Sequence, residues 1–169
     1  IVYVYSRSDE GALTRIQTLS SHRNGIIATS GDYVYIAHAG ATLFDSHELK
    51  VYQRSDTGVL TLLDSVQLSH TGSTLIEYAV AASKDGQFVY LGDPTANTIS
   101  IYKLDGNGKP SLINTISSGS IGSLALDADK ALLYAAATDG TINTYAIAAN
   151  GNLTLAGSVS GSTNGSDIA

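Results

Sequence analysis

One frame is written four times along this chain. Tyr5, Tyr52, Tyr102 and Tyr145 each close a short apolar/polar alternation, and Gly11, Gly58, Gly108 and Gly151 follow them six residues later. Eight residues past each glycine stands an aliphatic residue: Leu19, Val66, Ile116 or Val159. The tyrosines are 47, 50 and 43 residues apart. Self-similarity at such a period marks a modular array, whose neighbouring units bury a continuous core between them.

The inside of the unit is written in period two, the signature of strands. Residues 1–20 read as a hairpin, with Val2 to Tyr5, a polar turn from Ser6 to Gly11, and Leu13 to Leu19. The fixed glycine stands where a tight hairpin loop needs positive φ. A fuller copy comes later. Residues 69–118 run Tyr78 to Ala82, a turn at Lys84-Asp85-Gly86, Phe88 to Leu91, a loop at Asp93 to Asn97, Ile99 to Tyr102, and a last strand reaching Ile116. Residues 119–160 repeat this with Gly122 to Leu126, Leu132 to Ala135, Thr141 to Ile147 and Leu153 to Val159. Residues 21–68 do so with strands near Gly25 to Thr29 and Tyr33 to Ala37 before the Tyr52 hairpin. No helical period intervenes, so the expectation is all-β: four-stranded antiparallel blades of a β-propeller segment. Partial units are expected at 1–20 and 161–169, fifteen strands in all. Small residues on the first strands (Ala28, Ala79, Ala81, Ala82, Ser123, Ala125) suit a crowded innermost position. A β-sandwich is the alternative, but it gives no reason for the constant tyrosine-to-glycine register.

Composition narrows the function classes. The chain is 43% hydrophobic and 14% charged, enough apolar surface for a sizeable core. Nine Lys and Arg against fifteen Asp and Glu give a formal charge of −6, and the cations are scattered, so nucleic acid is not an expected partner. Without cysteine there is no disulfide, thiolate metal site or cysteine nucleophile. No apolar run approaches the roughly 20 residues of a membrane helix. Methionine is absent even from position 1, so the expected chain is a processed product or a segment of something longer. The remainder of a longer propeller or a second subunit is then the expected partner completing the ring. A parent of about 330 to 350 residues would hold seven blades at this period.

The stretches Lys84-Asp-Gly-Gln-Phe-Val-Tyr90, Ile99 to Gly108 with its closing strand, and Ala149-Asn-Gly-Asn-Leu-Thr-Leu155 resemble the seven-bladed lactonase-type propellers. That family includes 6-phosphogluconolactonase-like proteins and the YVTN surface-layer repeats. The resemblance covers nearly the whole chain and lies in scaffold positions; it carries no catalytic residue onto this sequence. It implies the propeller fold, with a non-catalytic scaffold or interaction segment of a larger surface or secreted protein as the expected role. A lactonase-type hydrolase of sugar lactones is the alternative. The expected location is extracellular or at the cell surface, otherwise cytoplasmic.

No serine stands in a Gly-x-Ser-x-Gly elbow, and Asp105 to Gly108 and Asp127 to Asp129 lack the frame of a calcium loop. No cofactor or metal is expected. One unit departs from the rest. From second-strand to third-strand tyrosine the distance is 17 residues for Tyr35 to Tyr52, against 12 for Tyr90 to Tyr102 and 11 for Tyr134 to Tyr145. Insertions in repeat proteins map to loops on one face, often the binding face. This insertion brings His38, Asp45, His47 and Glu48, while His22, Arg23 and His70 lie in blade-to-blade connections that emerge on the same side. These seven residues form the candidate site for a polar ligand or a partner protein. Weighed against this, they are ordinary solvated residues of polar loops.

Overall fold

The computed structural model describes residues 1–20, 25–39, 46–68 and 77–161. They form fourteen strands and, among the described residues, no helix, hence none long and apolar enough to cross a membrane. A hairpin comes first, β1 (Val2–Arg7) with β2 (Leu13–Leu19). Three four-stranded antiparallel sheets come after it. The second sheet holds β3 (Ile26–Ser30), β4 (Tyr33–His38), β5 (His47–Arg54) and β6 (Leu60–Leu68). The third holds β7 (Ala79–Ala82), β8 (Phe88–Asp93), β9 (Thr98–Leu104) and β10 (Pro110–Ser117). The fourth holds β11 (Ile121–Asp127), β12 (Leu132–Ala137), β13 (Thr141–Ile147) and β14 (Leu153–Ser160). In each sheet the strands keep chain order, and β7 lies between β3 and β11. This is the expected all-β array of propeller blades, with the first strands innermost. The expected further strand near residues 164–169 lies outside the described residues.

The core lies between the sheets. Ile99 and Ile101 of β9 pack with Ile121, Leu124 and Leu133 of the fourth sheet, whereas Tyr102 and Leu104 pack with Leu49 and Val51 of the second. The third sheet is therefore apolar on both faces. That is why β8 reads as the unbroken run Phe-Val-Tyr-Leu rather than an alternation. Each fully buried aliphatic side chain here contributes about 1.5–3 kcal/mol. The repeat tyrosines take equivalent places: Tyr52, Tyr102 and Tyr145 pair with Leu62, Leu112 and Leu155 and are buried. Tyr5 pairs likewise with Arg15 but is half-exposed.

Two devices recur in the outer hairpins. The residue three before each glycine closes a three-residue loop: Ser8, Ser55, Asp105 and Ala148 donate their N–H to the carbonyls of Ala12, Val59, Lys109 and Asn152. The glycines take φ of +89°, +86°, +80° and +83°, as a type I turn followed by a left-handed residue requires. Next to the tyrosine, each fourth strand slips by one residue, so that Ile16, Leu63, Ile113 and Ala156 are bulged out of the ladder. A bulge adds local twist, and Ile16 and Leu63 use it to reach across to Gly58 and Gly108 of the next unit.

Candidate functional site

Of the seven residues singled out by sequence, His38, His47 and Glu48 are described; His22, Arg23, Asp45 and His70 lie outside the described residues. His38 ends β4 and His47 opens β5, so the long connection between Tyr35 and Tyr52 runs through residues 39–46. Both histidines belong to strands and are buried, 0% and 8% exposed. This corrects the expectation of solvated loop residues: antiparallel pairing of β4 with β5 runs to the last residue of β4, where His38 faces Glu48.

Side-chain alternation then splits the trio. His38 and Glu48, directly across the ladder, lie on one side of the second sheet, with His38 Nε2 3.5 Å from Glu48 Oε2. The same oxygen takes Lys50 Nζ at 3.1 Å, while Oε1 accepts from Gln67 Nε2 at 2.5 Å and from Ser46 at 3.4 Å. Burial alone would raise the Glu48 carboxyl. The hydrogen bonds from Lys50 and Gln67, with the charges of Lys50 and His38, more than offset it and hold the group below its ordinary value. His47, one residue along, points to the other side. Its Nδ1 lies 2.9 Å from the Tyr78 hydroxyl, with the two rings edge to face at 5.8 Å. Tyr78 precedes β7, so this contact ties the second sheet to the third. Burial, then the nearby Asp93 and Tyr102, push its hydroxyl far above the usual phenolic range.

Two chemistries are thus present at this end: a carboxylate held ionised by a lysine and an amide, and a histidine–tyrosine pair between sheets. Among the described residues no three His, Asp or Glu side chains are placed to hold a metal ion.

At the opposite end of the inner strands lies a feature that no sequence motif marks. A cleft of about 1240 Å³ is lined by Ser30 at the end of β3, Ala82 of β7, Leu126 of β11 and Tyr134 of β12, together with the exposed Lys84 and Asp129. Those two exposed side chains are 3.5 Å apart. Ser30 is part of the wall, donating from Oγ to the carbonyls of Ser83 and Lys84. The small residues of the inner strands were the signal for this space; only the third dimension shows that three turns border it. Glu77, the charged residue nearest the other end of these strands, is exposed.

The profile of the family described as lactonase, 7-bladed beta-propeller matches residues 46–158. No curated protein sequence matches. Among solved structures, a protein from Lactobacillus plantarum superposes with a TM-score of 0.77 at 23% identity, over 97% of this chain and 50% of that one. A protein of Desulfotomaculum acetoxidans gives 0.70 at 17% identity, over 92% and 48%. The periplasmic gluconolactonase PpgL of Pseudomonas aeruginosa gives 0.63 at 17%, over 90% and 43%. The chain spans about half the length of these structures, and at such identities the likeness is one of fold. Because the profile covers 113 of 169 residues and the sheets repeat in the manner it describes, the chain belongs to the lactonase family of seven-bladed β-propellers.

Proposed function

We propose that this chain serves as a non-catalytic propeller segment, a scaffold whose recognition surface is the end carrying the connection from β4 to β5. One observation carries the reading. The described ionisable groups of β4 and β5 at that end are engaged in holding sheets: Glu48 gathers Lys50, the Gln67 amide and His38 within the second sheet, and His47 joins Tyr78 of the third. Groups used in this way frame a surface rather than converge on a reacting atom. The proposed ligand is a polar molecule or a partner protein, and the proposed setting is a larger surface or secreted protein. The rest of a propeller ring is its natural neighbour.

A hydrolase acting on sugar lactones is the second reading, favoured by family membership and by likeness to a protein described as a periplasmic gluconolactonase. Fold does not decide between them, since one fold hosts many functions. The deciding experiment is turnover of gluconolactone and 6-phosphogluconolactone by the purified chain. The scaffold reading expects rates equal to spontaneous hydrolysis. Hydrolysis above that rate, lost on Lys84→Ala at the cleft or on Glu77→Gln, would establish the hydrolase.

A further inference from the structure

We infer that Asn107 is a site of spontaneous modification, where the chain loses a side-chain amide through a cyclic imide with Gly108, and that the fold protects Asn150 from the same loss. The pair Asn-Gly occurs four times in the sequence. Two copies, Asn107-Gly108 and Asn150-Gly151, lie wholly within the described residues, at matching places in the outer hairpin turns of the third and fourth sheets. A glycine after asparagine leaves its backbone nitrogen open to approach, because no Cβ stands beside it. Both asparagines are exposed. Both glycine N–H groups are engaged alike, donating to the Asp105 carbonyl at 3.0 Å and to the Ala148 carbonyl at 2.8 Å.

The asparagine side chains differ. In the third sheet Asp105 caps its own turn, one carboxylate oxygen accepting from Asn107 N and from Lys109 N, each at 2.9 Å. Among the described residues no hydrogen bond engages the Asn107 side chain, which is therefore free to rotate toward Gly108 N. In the fourth sheet Ala148 has no side-chain oxygen to offer, and Asn150 Oδ1 accepts from Asn152 N at 3.1 Å instead. That bond must break before the Asn150 side chain can turn toward Gly151 N.

The reaction needs no reagent but water. Gly108 N attacks Cγ of Asn107, and the new C–N bond closes a five-membered imide. The bond from Cγ to Nδ2 breaks, and Nδ2 leaves as ammonia with the proton that Gly108 N gives up. Water then opens either imide carbonyl, giving aspartate at position 107 or an isoaspartyl link that carries the main chain through the side chain. Either product adds a negative charge beside Asp105. The isoaspartyl link also lengthens the backbone by one carbon next to Gly108, which is buried against Leu63 of the second sheet. Its effect therefore falls on the joint between the second and third sheets.

The test is peptide mapping by mass spectrometry of the chain aged at about pH 8 and about 37 °C, with isoaspartate counted by enzymatic methylation. The expected result is a gain of one mass unit at residue 107 about fivefold faster than at residue 150, the factor that one neutral hydrogen bond supplies. In urea, where both turns are lost, the two rates should converge. Ala148→Ser, which gives the last hairpin the capping oxygen of the others, should free Asn150 and raise its rate to that of Asn107. Asp105→Ala, read where the serine variant fails to fold, should slow Asn107 as its side chain takes over the cap. Equal rates in the folded chain overturn the inference, as does faster loss at Asn150 or a difference that persists undiminished in urea. So does an Asn150 that stays slow in Ala148→Ser while that variant melts as the parent does.

Discussion

Two tyrosines at equivalent places separate what a hydroxyl contributes from what a ring contributes. Tyr35 and Tyr90 each stand third in their second strands and are fully buried. Tyr35 donates from its hydroxyl to the Gly86 carbonyl of the next unit at 3.1 Å, whereas the Tyr90 hydroxyl meets no hydrogen-bond partner among the described residues. Burial, with Asp85 adding to it, pushes the Tyr90 hydroxyl up to about 12. Tyr35→Phe should therefore cost about 1 kcal/mol, and Tyr90→Phe should be neutral or stabilising by a few tenths. Urea unfolding of the two variants reads the difference directly. Glu48 offers a pH test. Its native pKa lies below the ordinary 4.5, so its contribution is fully present above that value and is lost as pH falls through the native one. Glu48→Gln should cost about 1–2 kcal/mol at pH 7, and the melting curves of variant and parent should converge well below pH 4.5. A constant gap between them down to pH 2.5 would mean that the charge of Glu48 contributes nothing. The sequence placed His38, His47 and Glu48 at one end of the fold but not on their sides of the sheet. The side depends on whether β4 stops at Ala37 or runs on to His38, and the long connection hides that boundary.

At the scale of the hairpin, the turn was legible and the bulge was not. A glycine at fixed distance from a tyrosine declares a left-handed residue, because side chains avoid positive φ. The bulged residues Ile16, Leu63, Ile113 and Ala156 share no such signature; their displacement arises from the pairing of two strands. The turns also differ in how they are capped. The N–H after the glycine is taken by the side chains of Ser8, Ser55 and Asp105 in the first three hairpins, at 3.1, 3.1 and 2.9 Å. In the last hairpin Ala148 has no such oxygen, and Asn150 supplies one to Asn152 N instead, at 3.1 Å. Asn150→Ala should cost about 0.5–1 kcal/mol, and adding Ala148→Ser should restore most of it by rebuilding the cap of the other three. No rescue in the double variant would show that the cap does not transfer between hairpins. The glycines differ as well. A methyl group at Gly11 would meet nothing within 4 Å, so Gly11→Ala carries only the strain of its φ of +89°, about 1–2 kcal/mol. At Gly151 the methyl would collide with the rigid ring of Phe88, and Gly151→Ala should cost about 2–4 kcal/mol in the same unfolding assay.

For the molecule as a whole, stability should depend on position in the array rather than composition of the sheet. In a repeat protein each unit contacts only its neighbours, so a unit covered on both faces gains two interfaces and a terminal one gains one. The third sheet lies between two four-stranded sheets: every residue of β8 is buried, and its two faces belong to different clusters, whereas the other face of the second sheet packs on the two-stranded β1–β2 hairpin. In β1 exposed and half-buried residues alternate, and β14 is exposed from Thr154 to Ser160. Local opening should therefore be easiest in the β1–β2 hairpin and hardest in β8 and β9. Native-state amide exchange should rank protection as third sheet first, second and fourth sheets next, and the hairpin last. Ile101→Ala, which removes a fully buried side chain from the β9 face packed on the fourth sheet, should cost about 2–5 kcal/mol. It should lower protection in the fourth sheet as well as in its own, and the hairpin, two interfaces away, should keep its slow-exchanging amides at their original rates. Uniform loss of protection over all described strands would instead mean that the array unfolds as one cooperative body, with interface energies larger than those of the sheets themselves.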